Sequence, residues 1–162
     1  MKKLIISTIV ALAACFGATA QEKGDMAVGV DLGIAPCFVK GGGTITNVGI
    51  GFKYQYNITD PIRLEADLEY WLKNKQLSVF DVTVNAQYLV GIAEKWNVYP
   101  VLGIGIGHIS QAGLSWDKFL LNIGIGGEYK LADNLSVGAE FKYQYMQDFG
   151  RLPIQIGITY RF

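Results

Sequence analysis

Beyond its first twenty-odd residues the sequence has no uncharged apolar run of the ~18 residues or more that a membrane-spanning helix requires. Any membrane passage in that region must therefore be made by strands. Cysteine is scarce: Cys15 lies in a candidate export leader and Cys37 would stand alone after processing, so no internal disulfide is expected. With a single histidine, His108, the usual metal-ligand cluster cannot be assembled, and neither a metal nor another cofactor is expected. Charge of one sign is missing as well. The 14 basic side chains balance 14 acidic ones, which gives no electrostatic reason to bind nucleic acid. No linker, charge block or low-complexity segment follows Gln21, and a single domain is expected.

What the chain has is glycine and aromatic residues: Gly 20, Tyr 9, Phe 8 and Trp 3. Helices tolerate this mixture poorly, whereas β-structure with tight turns or a narrow interior uses it readily. At the start, Met1-Lys2-Lys3 is a short basic region, Leu4 to Phe16 an apolar core, and Ala18-Thr19-Ala20 a small-residue cleavage site. Residues 1–20 are expected to be a signal peptide and 21–162 the mature domain. Leu12-Ala13-Ala14-Cys15 also resembles a lipobox, which would make Cys15 the acylated first residue of a lipoprotein. The shortened apolar core and the bulky Phe16 after the cysteine weigh against that processing.

The mature chain repeats a unit of alternation punctuated by turn residues. In the last unit Ile154, Ile156, Ile158, Tyr160 and Phe162 fall on one face and Gln155, Gly157, Thr159 and Arg161 on the other, the period of two of a strand. Eight such segments, near 25–34, 47–57, 62–72, 79–92, 97–109, 118–130, 135–146 and 153–162, predict an all-β, eight-stranded antiparallel up-and-down transmembrane barrel. Asn57–Pro61, Ala93–Trp96 and Leu131–Asn134 read as tight periplasmic turns. Residues 35–46, 73–78, 110–117 and 147–152 read as mostly longer external loops, with both termini on the periplasmic side.

Side-chain volume chooses the direction of the faces. Val48, Ile50, Phe52, Tyr54 and Tyr56 on one strand and Val137, Phe141, Tyr143 and Tyr145 on another would overfill an eight-stranded interior, so this face must point outward. The opposite face is rich in glycine and suits a narrow lumen. Aromatic residues then fall into two girdles, as interfacial anchoring requires: Tyr56, Tyr88, Tyr99, Tyr129, Tyr160 and Phe162 at the periplasmic rim, and Phe38, Tyr70, Phe80, Phe119 and Tyr145 at the outer rim. The inward set also holds Lys53, Arg63, Glu65, Asp67, Glu69, Asp81, Glu128, Glu140, Lys142 and Arg161. Counting back across the 57–61 turn sets Lys53 opposite the interval between Glu65 and Asp67. An interior plugged by ion pairs is expected in place of an open channel.

Tyr99-Pro100-Val101-Leu102-Gly103-Ile104-Gly105-Ile106-Gly107, Asn122 to Leu131, Asp133-Asn134-Leu135-Ser136 and Phe141-Lys142-Tyr143-Gln144-Tyr145 resemble the small outer-membrane barrels labelled OmpA-like or porin-family β-barrels, in particular those of Bacteroidetes-type bacteria. The final Ile158-Thr159-Tyr160-Arg161-Phe162 resembles the terminal aromatic signal, carried by Tyr160 and Phe162, that barrel-assembly machinery recognises. The resemblance implies a monomer in contact with outer-membrane lipid and lipopolysaccharide, with a structural or surface-contact role and no catalytic centre. A narrow porin-like channel is one alternative. Another comes from His108-Ile109-Ser110-Gln111-Ala112-Gly113, which resembles the His-x-Ser-Asn-x-Gly stretch of outer-membrane lipid A 3-O-deacylases. That likeness makes His108 a general base for Ser110, both facing outward. Gln111 departs from the pattern, and no outward carboxylate is expected to orient the histidine, since Asp117 falls in a predicted loop and Glu128 inside.

Overall fold

The computed structural model describes residues 22–39, 43–146 and 149–162. The leader, its cleavage site and Cys15 lie outside the described residues. Eight strands follow one another: β1 (Met26–Val39), β2 (Thr44–Asn57), β3 (Ile62–Asn74), β4 (Leu77–Tyr88, continued by Val90–Ala93), β5 (Trp96–Gln111), β6 (Leu114–Ala132), β7 (Leu135–Met146) and β8 (Phe149–Arg151 and Ile154–Arg161). Each pairs antiparallel with its sequence neighbour, and β8 returns to β1 through the register Ala27↔Arg161 to Ile34↔Ile154, so the sheet closes on itself. Closure leaves no strand of the wall without two neighbours, which a sheet in hydrocarbon requires. Among the described residues no helix is long and apolar enough to span a membrane.

The alternation of the sequence becomes an alternation of burial. From Val48 to Asn57 every second residue of β2 is exposed and every other one buried, and β3 and β4 repeat the pattern. The bulky residues are the exposed ones: Leu102 retains 65% of its accessible surface, Ile123 62% and Ile156 64%, while Glu65, Asp81 and Asn85 retain none. This inverts the usual order of a soluble protein, in which ionised side chains almost never occupy the fully buried positions. It places the apolar face against lipid and the polar face in the lumen.

The expected longer external loops are corrected to hairpins. β1 runs on to Val39 and β2 starts at Thr44, β3 and β4 are separated by Lys75-Gln76 alone, β5 and β6 by Ala112-Gly113, and β7 ends only two residues before β8 begins. The physical reason lies in the turns. Lys75 and Gln76 have φ of 45° and 68°, and Ala112 and Gly113 have 52° and 87°, the positive-φ pairs of turns whose twist matches that of the flanking strands. Strand pairing therefore continues through segments whose composition reads as loop, and β6 reaches 19 residues.

Candidate functional site

The lumen is built around two lysines on different strands. Lys53 Nζ of β2 has Asp31 Oδ1 at 3.0 Å, Glu140 Oε1 at 3.5 Å and Glu65 Oε2 at 3.7 Å. Lys142 Nζ of β7 has Glu69 Oε1 at 3.1 Å and both Asp67 Oδ2 and Glu140 Oε2 at 3.3 Å. Glu140 joins the two clusters, giving one carboxylate oxygen to each lysine. Side-chain amides add further donors: Gln55 and Gln87 donate to Glu65 at 2.7 and 2.8 Å, Asn85 to Asp67 at 2.7 Å, and Gln155 to Glu69 at 3.0 Å. In a dry interior each charge needs this degree of pairing, because removing one partner strands the other.

Above and below this layer stand two similar stacks. Towards the hairpin end, Trp71 of β3 lies against Gly49 of β2, Arg151 Cζ sits 4.9 Å over the indole ring, and Trp71 Nε1 donates to Asp81 Oδ2 at 3.0 Å. Arg151 also pairs with Asp81 and Gln144. Towards the terminal end, Tyr99 of β5 lies against Gly126 of β6 and Arg63 Cζ sits 4.8 Å over its ring. Arg63 Nη1 reaches Glu128 Oε2 at 2.9 Å, and Asn97 donates to the other oxygen at 3.0 Å. In both stacks the glycine supplies the space for an inward aromatic ring, and the ring carries a guanidinium on its face. Beyond the Trp71 stack, Ala35, Cys37, Leu77, Val79, Ile109, Leu120 and Met146 form a buried apolar layer across the hairpin end of the lumen.

Lys53, Arg63, Glu65, Asp67, Glu69, Asp81, Glu128, Glu140 and Lys142 all lie in the lumen. Lys53 does approach Glu65, but its nearest acceptor is Asp31. Arg161 stands apart from the central network, half-exposed at the terminal rim with Asp25 Oδ2 at 3.6 Å. Tyr99 is a correction. It is not a girdle residue but a lumen residue, 2% exposed, with its hydroxyl donating to Glu140 Oε1 at 3.0 Å. Its odd number gives it the parity of Gly103 and Gly105, and strand geometry overrides the preference of tyrosine for interfaces. Tyr56, Tyr88, Tyr160 and Phe162 are exposed at the terminal end and Phe38, Tyr70, Phe80, Phe119 and Tyr145 towards the hairpin end. Tyr129 packs its ring against Trp96 at 5.0 Å between centroids. Sequence reasoning missed Asp31 and Arg151: parity with Gly29 and Gly33 marks Asp31 as inward, but Arg151 sits in a three-residue strand segment that reads as loop.

At the outward face of β5, His108 Nδ1 stands 2.7 Å from Asp117 Oδ1, and both side chains are exposed. The absence of an orienting carboxylate is thus corrected. Asp117 is not in a loop; the two-residue turn at Ala112-Gly113 brings it into register opposite His108. Ser110, two residues along on the same face, is in register with Ser78 and Ser115. Among the described residues no group of acidic, histidine and cysteine side chains has the arrangement to hold a metal ion.

A closed antiparallel wall, apolar outside and ionic within, defines an integral membrane β-barrel. The family model of the outer membrane protein beta-barrel domain matches residues 6–162, and the chain belongs to that family of outer-membrane barrels. Among solved structures it is similar to Neisserial surface protein A, with 15% identity, 85% of this chain and 97% of that one covered, and a TM-score of 0.75. Ail, the attachment invasion locus protein of Yersinia pestis, aligns at 19% identity, 86% and 99% coverage and a TM-score of 0.64. The N-terminal β-barrel domain of Pseudomonas aeruginosa OprF aligns at 18% identity, 88% and 100% coverage and a TM-score of 0.63. At these identities the likeness carries the fold. No curated protein sequence matches the chain.

Proposed function

We infer that this protein is a structural, non-catalytic component of the outer membrane, exported by its leader and inserted as a monomer whose lumen is closed to solutes. The observation that carries this reading is the filled lumen: paired charges across the middle, with the apolar layer of Trp71, Leu77, Ile109, Leu120 and Met146 across the hairpin end. An ion entering there meets packed hydrocarbon before it meets a carboxylate, and eight strands enclose room for little beyond side chains. The hairpins offer small surfaces at the cell exterior, so the contribution is to envelope integrity and short-range surface contact. Planar-bilayer recording of the refolded mature barrel tests the reading. The expected result is a membrane that stays insulating; sustained, stepwise conductance would favour the narrow porin instead.

A second reading is supported by the His108–Asp117 contact. A histidine paired with a carboxylate, with Ser110 two residues along the same outward strand face, gives the residue types that an acyl-ester hydrolase of lipid A uses. Mass analysis of lipopolysaccharide from cells carrying the wild-type or the Ser110→Ala protein separates the two. An unchanged acyl pattern removes the hydrolase, and loss of one ester-linked chain only with intact Ser110 establishes it.

A further inference from the structure

The wall is not equally tall all round. β5 and β6 stay paired up to Gln111↔Leu114, whereas β6 meets β7 only from Leu120↔Met146 onwards, and the chain has turned back into β8 by Phe149. Residues 114–119 therefore stand with β5 on one side and, among the described residues, no strand on the other. The direction of their main-chain groups follows from the ladder. Lys130 N donates to Lys95 O on the β5 side, and the β5–β6 register runs without a shift from Trp96↔Tyr129 to Gln111↔Leu114. Even-numbered residues of β6 thus turn their N–H and C=O to β5, and Ser115 and Asp117 turn theirs to the open side. A comparable gap lies where β2 rises above its first pair with β3, Gly49↔Trp71, and there side chains fill it: Asn74 Nδ2 donates to Thr46 O at 2.6 Å and Asn47 Nδ2 to Leu72 O at 2.7 Å. No described side chain does this for the main chain of Ser115 or Asp117.

The segment is placed to meet another molecule. Beyond Phe80 and Phe119 the outward residues are polar, Ser78, His108, Ser110, Ser115 and Asp117, so the open edge stands above the hydrocarbon, where unpaired backbone is tolerated. Donors and acceptors alternating at strand spacing match the main chain of an extended peptide. On the side facing the barrel axis Leu114 and Trp116 are exposed, and Lys118 has no carboxylate partner among the described residues. A second copy is a poor occupant: copies in one membrane share one orientation, so its β6 would bring another Lys118 to the same level. We propose that this edge receives an extended segment of another protein at the cell surface, added as a strand beside β6 with an acidic residue opposite Lys118. This names the partner class of the surface-contact role proposed above and rests on that role, whereas the conductance test bears on the lumen alone.

Peptide binding to the refolded mature barrel in phospholipid vesicles tests it, with the fluorescently labelled hexapeptide Thr-Val-Glu-Val-Thr-Val as probe and anisotropy as readout. The wild type is expected to bind the probe but not a form N-methylated at its central residues, which lacks the main-chain donors. Bound peptide is expected to slow hydrogen exchange at the N–H groups of Ser115 and Asp117. Ser115→Pro removes an open N–H and no bond within the barrel, and is expected to weaken binding about tenfold. Lys118→Glu is expected to lose the probe and to gain Thr-Val-Lys-Val-Thr-Val, a charge swap that repeats the test should Ser115→Pro fail to fold. Equal binding by the wild type and Ser115→Pro, an indifferent Lys118→Glu, binding of the N-methylated form, or a wild type that binds no peptide overturns the proposal. So does a barrel dimer that Ser115→Pro dissociates, and so does lipopolysaccharide that the wild type retains and Ser115→Pro releases.

Discussion

A Cβ atom on Gly126 would lie 2.3 Å from Cε2 of Tyr99, so the tyrosine ring fills the volume that any larger residue at Gly126 would need. The ring in turn lies under the Arg63 guanidinium and donates its hydroxyl to Glu140, which ties the terminal end of the lumen to the central lysines. Gly126→Ala is therefore expected to destabilise the barrel by about 1–3 kcal/mol, the usual cost of overpacking. Tyr99→Phe keeps the packing and removes a bond to a buried carboxylate, for a loss of about 1–3 kcal/mol. Urea titration in detergent micelles measures both, and an unchanged midpoint in Gly126→Ala would show that Tyr99 can leave its place freely.

Lys142 compensates Asp67, Glu69 and Glu140 at once. Lys142→Met leaves Asp67 and Glu69 without their ammonium partner and Glu140 with Lys53 alone in a buried layer, and the expected loss is about 3–5 kcal/mol. Adding Glu69→Gln to Lys142→Met removes one of the stranded charges and should recover part of that loss. A double-mutant cycle reads the coupling directly. Additive losses would mean that the lumen is hydrated enough to screen the pair.

The apolar layer at the hairpin end gives a third expectation. Leu77→Ala or Ile109→Ala opens a cavity among buried neighbours and should cost about 2–5 kcal/mol. By contrast Leu114→Ala, at an exposed hairpin tip, should lie within about 0.5 kcal/mol of the wild type. Equal effects at the two positions would contradict the packed end to the lumen.

Phe162 is exposed, and its backbone N–H donates to Met26 O at 3.0 Å. Its side chain contributes little to the closed wall, so Phe162→Ala should leave spontaneous refolding in detergent unchanged. The expectation that Phe162 belongs to an assembly signal predicts lower amounts of heat-modifiable barrel in cells for this variant. Equal cellular amounts would remove that role.

Much of this architecture was legible because a strand has a period of two. Once Ile154 to Phe162 sets which parity is apolar, the lumen positions of Lys53, Glu65, Asp67, Glu140 and Lys142 follow from counting. The same rule places Tyr99 inside, and only the habit of assigning aromatic residues to interfaces hides it. Asp117 was harder. Its contact with His108 depends on Ala112-Gly113 closing a two-residue turn with positive φ at both positions, and alanine gives no sign of that conformation. Arg151 was hidden for a related reason, since strand pairing resumes for only three residues before Leu152-Pro153 interrupts it. Long-range pairing, not local composition, decides such segments.

The bulky apolar face contacts lipid while the charges lie within, and collision measurements along the wall distinguish this sidedness from its reverse. Single nitroxide labels at Ile104, Ile123 and Ile156, in a Cys37→Ser background, report collisions with oxygen and with a water-soluble nickel chelate once the barrel is in phospholipid vesicles. All three labels are expected to be accessible to oxygen and shielded from the chelate. Labels that meet the chelate as freely as one at the hairpin tip, Leu114, would place the isoleucines in water and rule out a lipid-facing apolar wall.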